Sequence, residues 1–333
     1  MAKPVSQDYF KPSEVSFGAG ALSGSYDQFS ESDPVEACRE ALNSGINTFD
    51  TSPYYGKSEC ILGDALYQIR DEFPRNTYYL ATKVGRYGYT VKDFDYSARR
   101  VYESVAESMR RMHTDYIDIV YCHDVEFVEF EQVVGHNQAL EALFDLKSQG
   151  KIKYVGCSGY PLEVLLKIAK YNYDKGQPLD IILSYCHYTL QNTLLADYAP
   201  KFKEVGVRYI MNASPLCMAL LRDGMTPSWH PAHEAIREAA DKAAAVAAEN
   251  GLSLANLASR FSFQGRDQFQ LDSTVIGLAR KSEVQDAIRS WKDVKERKNS
   301  DKENKVYEII HQLFAPYKNF SWQSPTDKEL CKE

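Results

Sequence analysis

The sequence predicts an α/β protein whose strands close into a parallel (β/α)8 barrel, the TIM-barrel fold. Short apolar runs rich in β-branched residues alternate with segments of helical periodicity from residue 15 to about residue 291. Most successive runs begin about 27 to 38 residues apart, which is the length of one βα unit. An open, doubly wound sheet would show the same alternation, so the count of eight runs decides for the closed barrel.

Each predicted strand is a short apolar run that ends near polar or small residues. The runs span residues 15–20, 46–50, 78–84, 116–124, 153–159, 179–185, 207–214 and 273–278. Because parallel barrels carry their functional groups at the carboxyl ends of the strands, the polar residues that end these runs are candidates for a site.

Start and stop signals bound the intervening helices. Asp33 is predicted as the N-cap of the first long helix, with Pro34 in the first turn and Glu36 as the acidic member of a capping box. Gly45 ends this helix just before a strand, and Ser97 begins another helix.

A long insertion precedes the eighth strand. That strand begins about 66 residues after the seventh, and the interval holds a loop at 221–233 and an Ala-rich helix at about 233–250. We expect the loop to cover a substrate.

The end of the chain is predicted to be an extension of the same domain. The charged tract 292–305 is expected to be a solvated connection to a C-terminal helix at 306–314. The chain, 1–333, is therefore predicted to be one barrel domain, with a core at about 15–292 and an extension at about 293–333.

Charge and composition exclude several classes of partner. The 333 residues include 39 Lys and Arg against 46 Asp and Glu, a net charge of −7, with no basic block that would neutralise a run of phosphates. No stretch approaches the roughly 18 consecutive apolar residues that a membrane span requires. Seven scattered cysteines without a C-x-x-C pair favour reduced thiols. We therefore expect a soluble cytoplasmic protein that binds neither nucleic acid nor membrane.

Four ionisable residues lie at or near the ends of three neighbouring strands. Asp50 ends the second predicted strand and Tyr55 follows in the loop, while Lys83 and His123 end the third and fourth strands. Singly, each has a more ordinary structural explanation, such as a turn cap, a surface amine or a packed core residue. Together they make a chemically complete set.

This set fits the oxidation of an alcohol or the reduction of a carbonyl. Such a reaction needs a proton donor or acceptor at the reacting oxygen while hydride moves to or from a cofactor. A tyrosine hydroxyl has an ordinary pKa of about 10, and an adjacent ammonium lowers that pKa by favouring the phenolate. Lys83 would supply the ammonium and Asp50 would keep it charged, while neutral His123 would orient the substrate oxygen.

The segments FDTSPYYGKSE, ATKVG and DIVYCHD, which contain these four residues, resemble the catalytic motifs of the aldo-keto reductase family. The resemblance covers nearly the whole chain. It implies a (β/α)8 barrel, a nicotinamide cofactor extended across its mouth, Tyr55 as the acid/base and no metal. The segments LSYCHYTLQN, NASPLCMALL and PSWHPA further resemble the sugar dehydrogenases of that family. They imply that an aldose of the L-galactose, D-arabinose or L-fucose type is oxidised at C1 to an aldonolactone by NAD+.

The resemblance also implies which residues hold the cofactor. They are Gly18, Asp50, Ser158, Ser184, Ser214, Leu216, Gly277, Arg280 and Glu283. Three positions depart from the family's pattern: Gly159 stands where the family has Asn, Leu183 where it has Gln, and Ala219 where it has Gly. The first departure removes one expected amide contact to the nicotinamide, and the second leaves Ser184 as the nearest polar group.

Glu283 favours NAD over NADP as the cofactor. NADPH-using relatives tend to carry Arg at this position, and a carboxylate would repel the 2′-phosphate and accept a hydrogen bond from a ribose hydroxyl. The cations Arg280 and Lys281 argue for the opposite preference, and a simple role of Glu283 at a helix start is the alternative. We expect NAD, with NADP as the second option.

Sugar contacts are expected from the reacting centre and from the long loop. The predicted substrate-binding residues are Tyr55, His123, Cys186, Trp229 and His230. Aromatic faces pack on sugar C–H groups and imidazole hydrogen-bonds hydroxyls, although ordinary loop packing explains Trp229 and His230 equally well. His230 and His233 form an H-x-x-H pair without a third ligand, so no metal site is predicted.

Two other functions remain open. An NADPH-dependent aldehyde or ketone reductase would use the same four residues in the opposite direction, and cofactor preference separates it. A non-catalytic barrel that binds nucleotide as a sensor has no need of a proton donor, so the presence of Tyr55 argues against it. The expected partner is a small-molecule aldose, and the resemblance implies a monomer or a homodimer.

Overall fold

The computed structural model describes residues 9–23, 29–298 and 300–322, so Cys331 and the end of the predicted extension lie outside it. Within these residues, eight parallel strands form a closed barrel in which each strand pairs with the next and the last pairs with the first. The strands are β1 (Val15–Gly18), β2 (Thr48–Asp50), β3 (Tyr79–Val84), β4 (Ile117–His123), β5 (Ile152–Gly159), β6 (Ile181–Tyr185), β7 (Tyr209–Ala213) and β8 (Ser273–Gly277). The predicted barrel is confirmed, and each predicted strand overlaps one observed strand.

At least one helix follows each strand, and the helices of the described residues surround the barrel. They are α1 (Asp33–Asn43), α2 (Ser58–Gln68), α3 (Ala98–Arg111), α4 (Phe130–Val134), α5 (Ala139–Ser148), α6 (Leu162–Asp174), α7 (Leu194–Glu204), α8 (Glu234–Glu249), α9 (Leu254–Phe263), α10 (Gly265–Phe269), α11 (Lys281–Lys295) and α12 (Asp301–Phe314). None of them combines the length and the apolar sequence needed to cross a membrane.

The helix starts agree with the sequence signals in one case and differ by a residue in another. Ser97 is the N-cap of α3, and its side chain accepts a hydrogen bond from the Arg100 N–H. The prediction of Asp33 as an N-cap is wrong, because α1 begins at Asp33 itself and Ser32 is the N-cap. The Asp33 carboxylate instead accepts a hydrogen bond from the Ser30 N–H at 2.7 Å, which anchors the approach to the helix.

The insertion before β8 contains more helix than predicted. The Ala-rich helix is α8, and α9 and α10 follow it in a stretch for which no helix was predicted. A start signal was present, because the Ser253 side chain accepts from the Asn256 N–H at 3.1 Å. The small alanines of α8 allow close packing against α9 and α12 in a second apolar cluster beside the barrel.

The charged tract near the C-terminus is divided between two helices. Helix α12 begins at Asp301, five residues before the predicted start, where Ser300 and Glu303 form a capping box. Glu303 also forms an ion pair with Arg260 of α9, whose side chain is only 3% exposed. The prediction of a solvated connection is wrong at Glu303, because packing of α12 against α9 turns part of the charged tract inward.

Aromatic side chains fill the amino end of the barrel. Phe10 precedes β1, and its ring centroid lies 4.8 Å from that of Tyr79, 5.6 Å from Tyr154 and 5.1 Å from Tyr209. The three tyrosines come from β3, β5 and β7, as expected for one layer of a barrel core. Among the described residues these rings fill the amino end, and the cavity described below opens at the opposite end.

Candidate active site

A cavity of about 1100 Å³ opens at the carboxyl ends of the strands. The predicted catalytic residues Asp50, Tyr55, Lys83 and His123 all line it. Most of the predicted cofactor residues line it too, namely Gly18, Ser158, Ser214, Leu216, Gly277, Arg280 and Glu283. The register of neighbouring strands explains why these residues lie close together. Gly18 pairs with Asp50 and with Gly277, and His123 pairs with Ser158.

The Lys83 ammonium is held by two oxygens at the base of the cavity. Its Nζ donates to Asp50 Oδ1 at 2.5 Å and to the carbonyl oxygen of Thr51 at 2.8 Å. Exposed fractions of 1% for the Lys83 side chain and 7% for that of Asp50 show that the pair is buried. Burial raises the pKa of the Asp50 carboxyl, and the charge of Lys83 opposes that rise. The two side chains thus compensate each other's loss of solvation.

Tyr55 lies close to both the ammonium and His123. The Lys83 Nζ is 4.8 Å from the centroid of the Tyr55 ring. The Tyr55 and His123 rings are 5.8 Å apart, edge to face. A proton donor, a cation and an imidazole therefore face one volume, as proton transfer at a single substrate oxygen requires.

His123 is held in the neutral form with a fixed orientation. Burial lowers its pKa to about 3, although the neighbouring charge of Asp124 acts in the opposite direction. Its Nδ1 lies 3.2 Å from Ser52 Oγ, and its backbone carbonyl accepts a hydrogen bond from the Tyr96 hydroxyl. A neutral imidazole can donate one hydrogen bond to a substrate oxygen without adding charge.

Glu283 lies both on the cavity and at the start of α11. Its Oε2 accepts hydrogen bonds from the backbone N–H groups of Ala279 at 2.7 Å and Arg280 at 3.0 Å. The Glu283 side chain therefore has the structural role at a helix start that was the alternative expected from the sequence. It also lines the cavity. Both roles are compatible because the cavity ends where the helix begins.

Both cations that argued for NADP have carboxylate partners. Arg280 lies 3.2 Å from Glu283 Oε1 and 3.9 Å from Asp33 Oδ2. Lys281 lies 3.7 Å from Glu40 Oε2. Among these five described residues, three carboxylates face two cations, so the negative charges outnumber the positive ones.

The segment after β7 has an unusual backbone conformation. Positive φ angles occur at Ser214, Cys217, Met218 and Ala219, at 57°, 51°, 55° and 71° respectively. The Ser214 hydroxyl accepts a hydrogen bond from the Met218 N–H at 2.9 Å, which closes the turn. The family's glycine stands at the position of Ala219, where a left-handed conformation favours glycine.

The Glu126 carboxyl group occupies the space where a side chain at position 159 would lie. A Cβ atom at this position would lie 2.4 Å from Glu126 Oε2, so the family's asparagine would displace that carboxyl group. Glu126 Oε1 accepts a hydrogen bond from the Tyr160 N–H at 3.0 Å. Burial, followed by the charge of Asp124, raises the pKa of Glu126 to about 8.

Three predicted contact residues do not line the cavity. Ser184 is buried, with its Oγ 3.0 Å from His187 Nδ1. Cys186 is buried in the second apolar cluster. His230 is also buried, with its Nε2 2.9 Å from the carbonyl oxygen of Cys217. The structure therefore does not place these three buried side chains on the cavity surface, and their contacts with cofactor or substrate stay predictions.

The loop residues at the rim are exposed. Trp229 lines the cavity with 54% of its surface exposed, and Met225 of the same loop is 73% exposed. Tyr89, which follows β3, lines the cavity with 66% exposure. Exposed apolar side chains around an opening are suited to cover a bound ligand.

Sequence reasoning did not identify Arg86, Asp124, Tyr54 or Ser52 as site residues. The first three line the cavity, and Ser52 orients His123. Signals for them existed, since Asp124 directly follows His123, a predicted catalytic residue, and Arg86 lies three residues after Lys83. Polar residues are common near strand ends. Only their positions in the folded structure distinguish these four from the polar residues that lie away from the cavity.

The lining fits a nicotinamide dinucleotide. Asp50 Oδ2 is buried and has no hydrogen-bond partner among the described residues, which leaves an acceptor for a ligand hydroxyl. At Gly18 a Cβ would lie 2.9 Å from the carbonyl oxygen of Ile276. Because glycine has no side chain, a ligand can approach the backbone closely at this part of the cavity. A bound cofactor would meet backbone and small residues along one wall and the catalytic residues at its end.

Comparison with known proteins agrees with this geometry. The model of the Aldo/keto reductase family matches residues 14–307. The chain is 36% identical over 318 residues to L-galactose dehydrogenase of Arabidopsis thaliana, with 94% of each chain covered. It is 38% identical over 326 residues to D-arabinose 1-dehydrogenase of Saccharomyces cerevisiae, with 95% of each covered.

A solved structure supports the fold independently. The glycerol dehydrogenase of Gluconobacter oxydans superimposes with a TM-score of 0.66 at 23% identity, covering 94% of this chain and 95% of that one.

The barrel and its Asp-Tyr-Lys-His site thus define an oxidoreductase that acts on CH–OH groups. The chain belongs to the aldo-keto reductase family, whose members use nicotinamide cofactors.

Proposed function

We propose that this protein is an NAD-dependent aldose 1-dehydrogenase that oxidises a free sugar at C1 to the aldonolactone. The observation that carries the proposal is the placement of Tyr55 beside the paired Lys83 ammonium and neutral His123 in one cavity. The similarity to plant and yeast sugar dehydrogenases over nearly the whole chain supports a sugar as the substrate. The expected substrates are aldoses of the L-galactose, D-arabinose or L-fucose type.

The protein's own residues would manage the proton and the orientation of the sugar. Tyr55, as the phenolate beside Lys83, takes the proton from the anomeric hydroxyl. Asp50 keeps the ammonium in place, and His123 hydrogen-bonds the same sugar oxygen and so fixes its direction. When bound, the nicotinamide supplies the acceptor for the hydride that leaves C1. The proton and the hydride together are the two hydrogens lost when the hemiacetal becomes a lactone.

The charges around Arg280 support NAD as the cofactor. Its guanidinium is paired with Glu283 and Asp33, and Lys281 lies near Glu40. A 2′-phosphate would have to compete with these carboxylates for the same cations. We expect Glu283→Gln to raise kcat/KM with NADP+ by roughly 3- to 30-fold while changing that with NAD+ little, because one repulsive charge is lost. Steady-state kinetics with both cofactors provide the measurement.

The direct test is NADH formation by the purified protein with a panel of sugars. We expect turnover of L-galactose, D-arabinose and L-fucose with NAD+, and little with D-galactose or D-glucose. Tyr55→Phe should lower kcat by roughly a thousandfold or more, because the proton acceptor is lost. Tyr67→Phe, at an exposed tyrosine of α2, is the matched control and should retain full activity.

Failure of the sugar assignment would have a distinct result. Absence of NADH formation with every sugar, together with NADPH-dependent reduction of simple aldehydes, would identify a general carbonyl reductase instead.

A further inference from the structure

We propose that Asp124 binds the sugar hydroxyl on the carbon next to the reacting carbon, and that Arg86 positions Asp124 for this contact. The inference rests on the proposed function and specifies how its site recognises a sugar. It assigns a role to a buried ion pair on the cavity wall that the catalytic steps do not use.

The pair lies directly beside the catalytic imidazole. Asp124 Oδ2 is 2.6 Å from Arg86 Nη1 and 3.5 Å from His123 Nε2. The exposed fraction is 5% for the Asp124 side chain and 11% for that of Arg86, and both residues line the cavity. A carboxylate therefore lies within reach of a group bound next to the imidazole.

Asp124 has a backbone conformation that ordinary capping does not explain. Its φ and ψ are 51° and 53°, in the left-handed region, and its side chain makes no capping hydrogen bond to the turn that follows. Its N–H donates to the Ser158 carbonyl at 2.7 Å, which fixes the residue against β5. A left-handed residue held at a strand end beside a catalytic group is typical of a functional position.

Arg86 is anchored by further contacts besides its ion pair with Asp124. Its Nη2 donates to the Tyr54 hydroxyl at 3.1 Å, and its Cζ lies 3.9 Å from the centroid of the Tyr54 ring. Its Nε donates to the carbonyl oxygen of Gly88. The guanidinium is therefore rigid, and it fixes the direction of the Asp124 carboxylate.

Burial of this pair is a poor way to stabilise the fold. Removing two charges from water carries a desolvation cost that their mutual attraction often fails to offset. An apolar pair of the same size would serve the fold as well. A preorganised carboxylate is instead useful to a ligand that offers hydroxyl donors, since charge-assisted hydrogen bonds are roughly twice as strong as neutral ones.

The distance to His123 selects the hydroxyl. When the reacting oxygen of the sugar accepts from His123 Nε2, the hydroxyl on the adjacent carbon is its nearest neighbouring donor. Asp124 Oδ2 is 3.5 Å from that nitrogen, so the imidazole and the carboxylate are close enough to bind two oxygens on adjacent carbons of one sugar. The 2-hydroxyl of an aldose oxidised at C1 is therefore the group that Asp124 recognises.

The test compares two sugars that differ only in this hydroxyl. D-arabinose carries the 2-hydroxyl, and 2-deoxy-D-ribose is the same sugar without it. We expect the wild-type protein to prefer D-arabinose by at least about tenfold in kcat/KM, because a site that binds a hydroxyl rejects the analogue that lacks it. Asp124→Asn should lower kcat/KM for D-arabinose by roughly 10- to 100-fold and change that for 2-deoxy-D-ribose by less than about threefold.

Two further variants complete the experiment. Asp124→Gly keeps the left-handed backbone and removes the acceptor entirely, and it should give the same loss of preference. Asp286→Asn makes the same chemical change at an exposed position of α11 and should retain the wild-type preference. Thermal unfolding of each variant measures whether its fold persists.

The outcomes separate this inference from the proposed function. A wild-type protein without preference between the two sugars, or an Asp124→Asn variant that loses activity equally on both, overturns the contact while leaving sugar oxidation intact. A wild-type protein that forms no NADH with any aldose overturns the proposed function and this contact with it.

Discussion

Burial sets the chemistry of individual residues at the mouth of this barrel. Lys83 is fully enclosed and needs the Asp50 carboxylate, while His123 loses its charge because no counter-ion fully replaces water. Glu126 keeps its proton near neutral pH for the same reason. Each side chain is ordinary in the sequence, and its environment determines which protonation state is available.

Replacement of the ammonium should change the pH dependence of the reaction. Lys83→Met removes the positive charge that lies 4.8 Å from the Tyr55 ring, so the phenolate loses its electrostatic support. We expect sugar oxidation to fall by roughly 100- to 1000-fold at neutral pH and to recover partly as the pH rises. The measurement is kcat as a function of pH. A uniform loss at all pH values would contradict the role assigned to the ammonium.

Glu126 should weaken the fold as the pH rises. The pKa of Glu126 is about 8 in the folded protein against an ordinary 4.5, so the folded chain retains a proton that the unfolded chain releases. The free energy of unfolding therefore falls between about pH 4.5 and pH 8, and Glu126→Gln should remove this part of the decline. We expect the variant to be more stable than wild type by at least about 1 kcal/mol at pH 8, with the difference shrinking toward pH 4.5.

Urea unfolding at several pH values measures this difference. Glu131→Gln, an exposed glutamate five residues further along, is the control and should show no such pH-dependent gain. Equal stability of the Glu126→Gln variant and the wild type at pH 8 would show that Glu126 is not buried as a neutral acid.

Among the elements, the connection after β7 carries the most backbone strain. Cys217, Met218 and Ala219 follow one another in the left-handed conformation, which ordinary residues adopt reluctantly. The turn is nevertheless closed by the Ser214 hydroxyl and lies on the cavity wall, where Leu216 and Ala219 line the opening. Strain concentrated in a segment that borders a site suggests that ligand contact, and not stability, determines its shape.

Relief of this strain should stabilise the protein. We expect Ala219→Gly to raise the free energy of unfolding by about 1 kcal/mol, because φ of 71° carries no steric penalty for glycine. Ala243→Gly in the middle of α8 is the opposite control and should be destabilising by a similar amount. Chemical denaturation of the two variants measures the effect, and a loss of stability in Ala219→Gly would argue against strain at this position.

At the scale of the whole molecule, the two ends of the barrel have separate tasks. The amino end is filled by Phe10 and a layer of tyrosines, whereas the carboxyl end is open and lined by ionisable groups. Stability and chemistry therefore depend on different residues of one closed sheet.

This separation predicts a variant that is unstable but catalytically intact. Phe10→Ala should lower the free energy of unfolding by about 3 kcal/mol, because it empties a buried site among three tyrosine rings. KM for sugar and cofactor should remain within about twofold of wild type at temperatures where the variant is folded. Phe320→Ala, at a ring that is 47% exposed, should change stability much less. A large rise in KM for Phe10→Ala would show that the two ends are coupled.

The sequence by itself determined the barrel, because the count of eight apolar runs favours a closed sheet over the open sheet that the same alternation allows. It also identified four of the residues that line the cavity, Asp50, Tyr55, Lys83 and His123, since the carboxyl ends of parallel strands converge on one face. It underestimated the insertion, where α9 and α10 form in a stretch for which no helix was predicted.

Only the tertiary structure decided which polar residues near the strand ends face the cavity. Arg86 and Asp124 meet across β3 and β4, and Glu126 fills the space left by Gly159. Ser184 and His230, by contrast, are buried and lie within hydrogen-bond distance of His187 and of the Cys217 carbonyl, respectively. Spacing along the chain fixes which strand a residue follows, but side-chain direction and burial depend on neighbours distant in sequence, and these set charge and protonation.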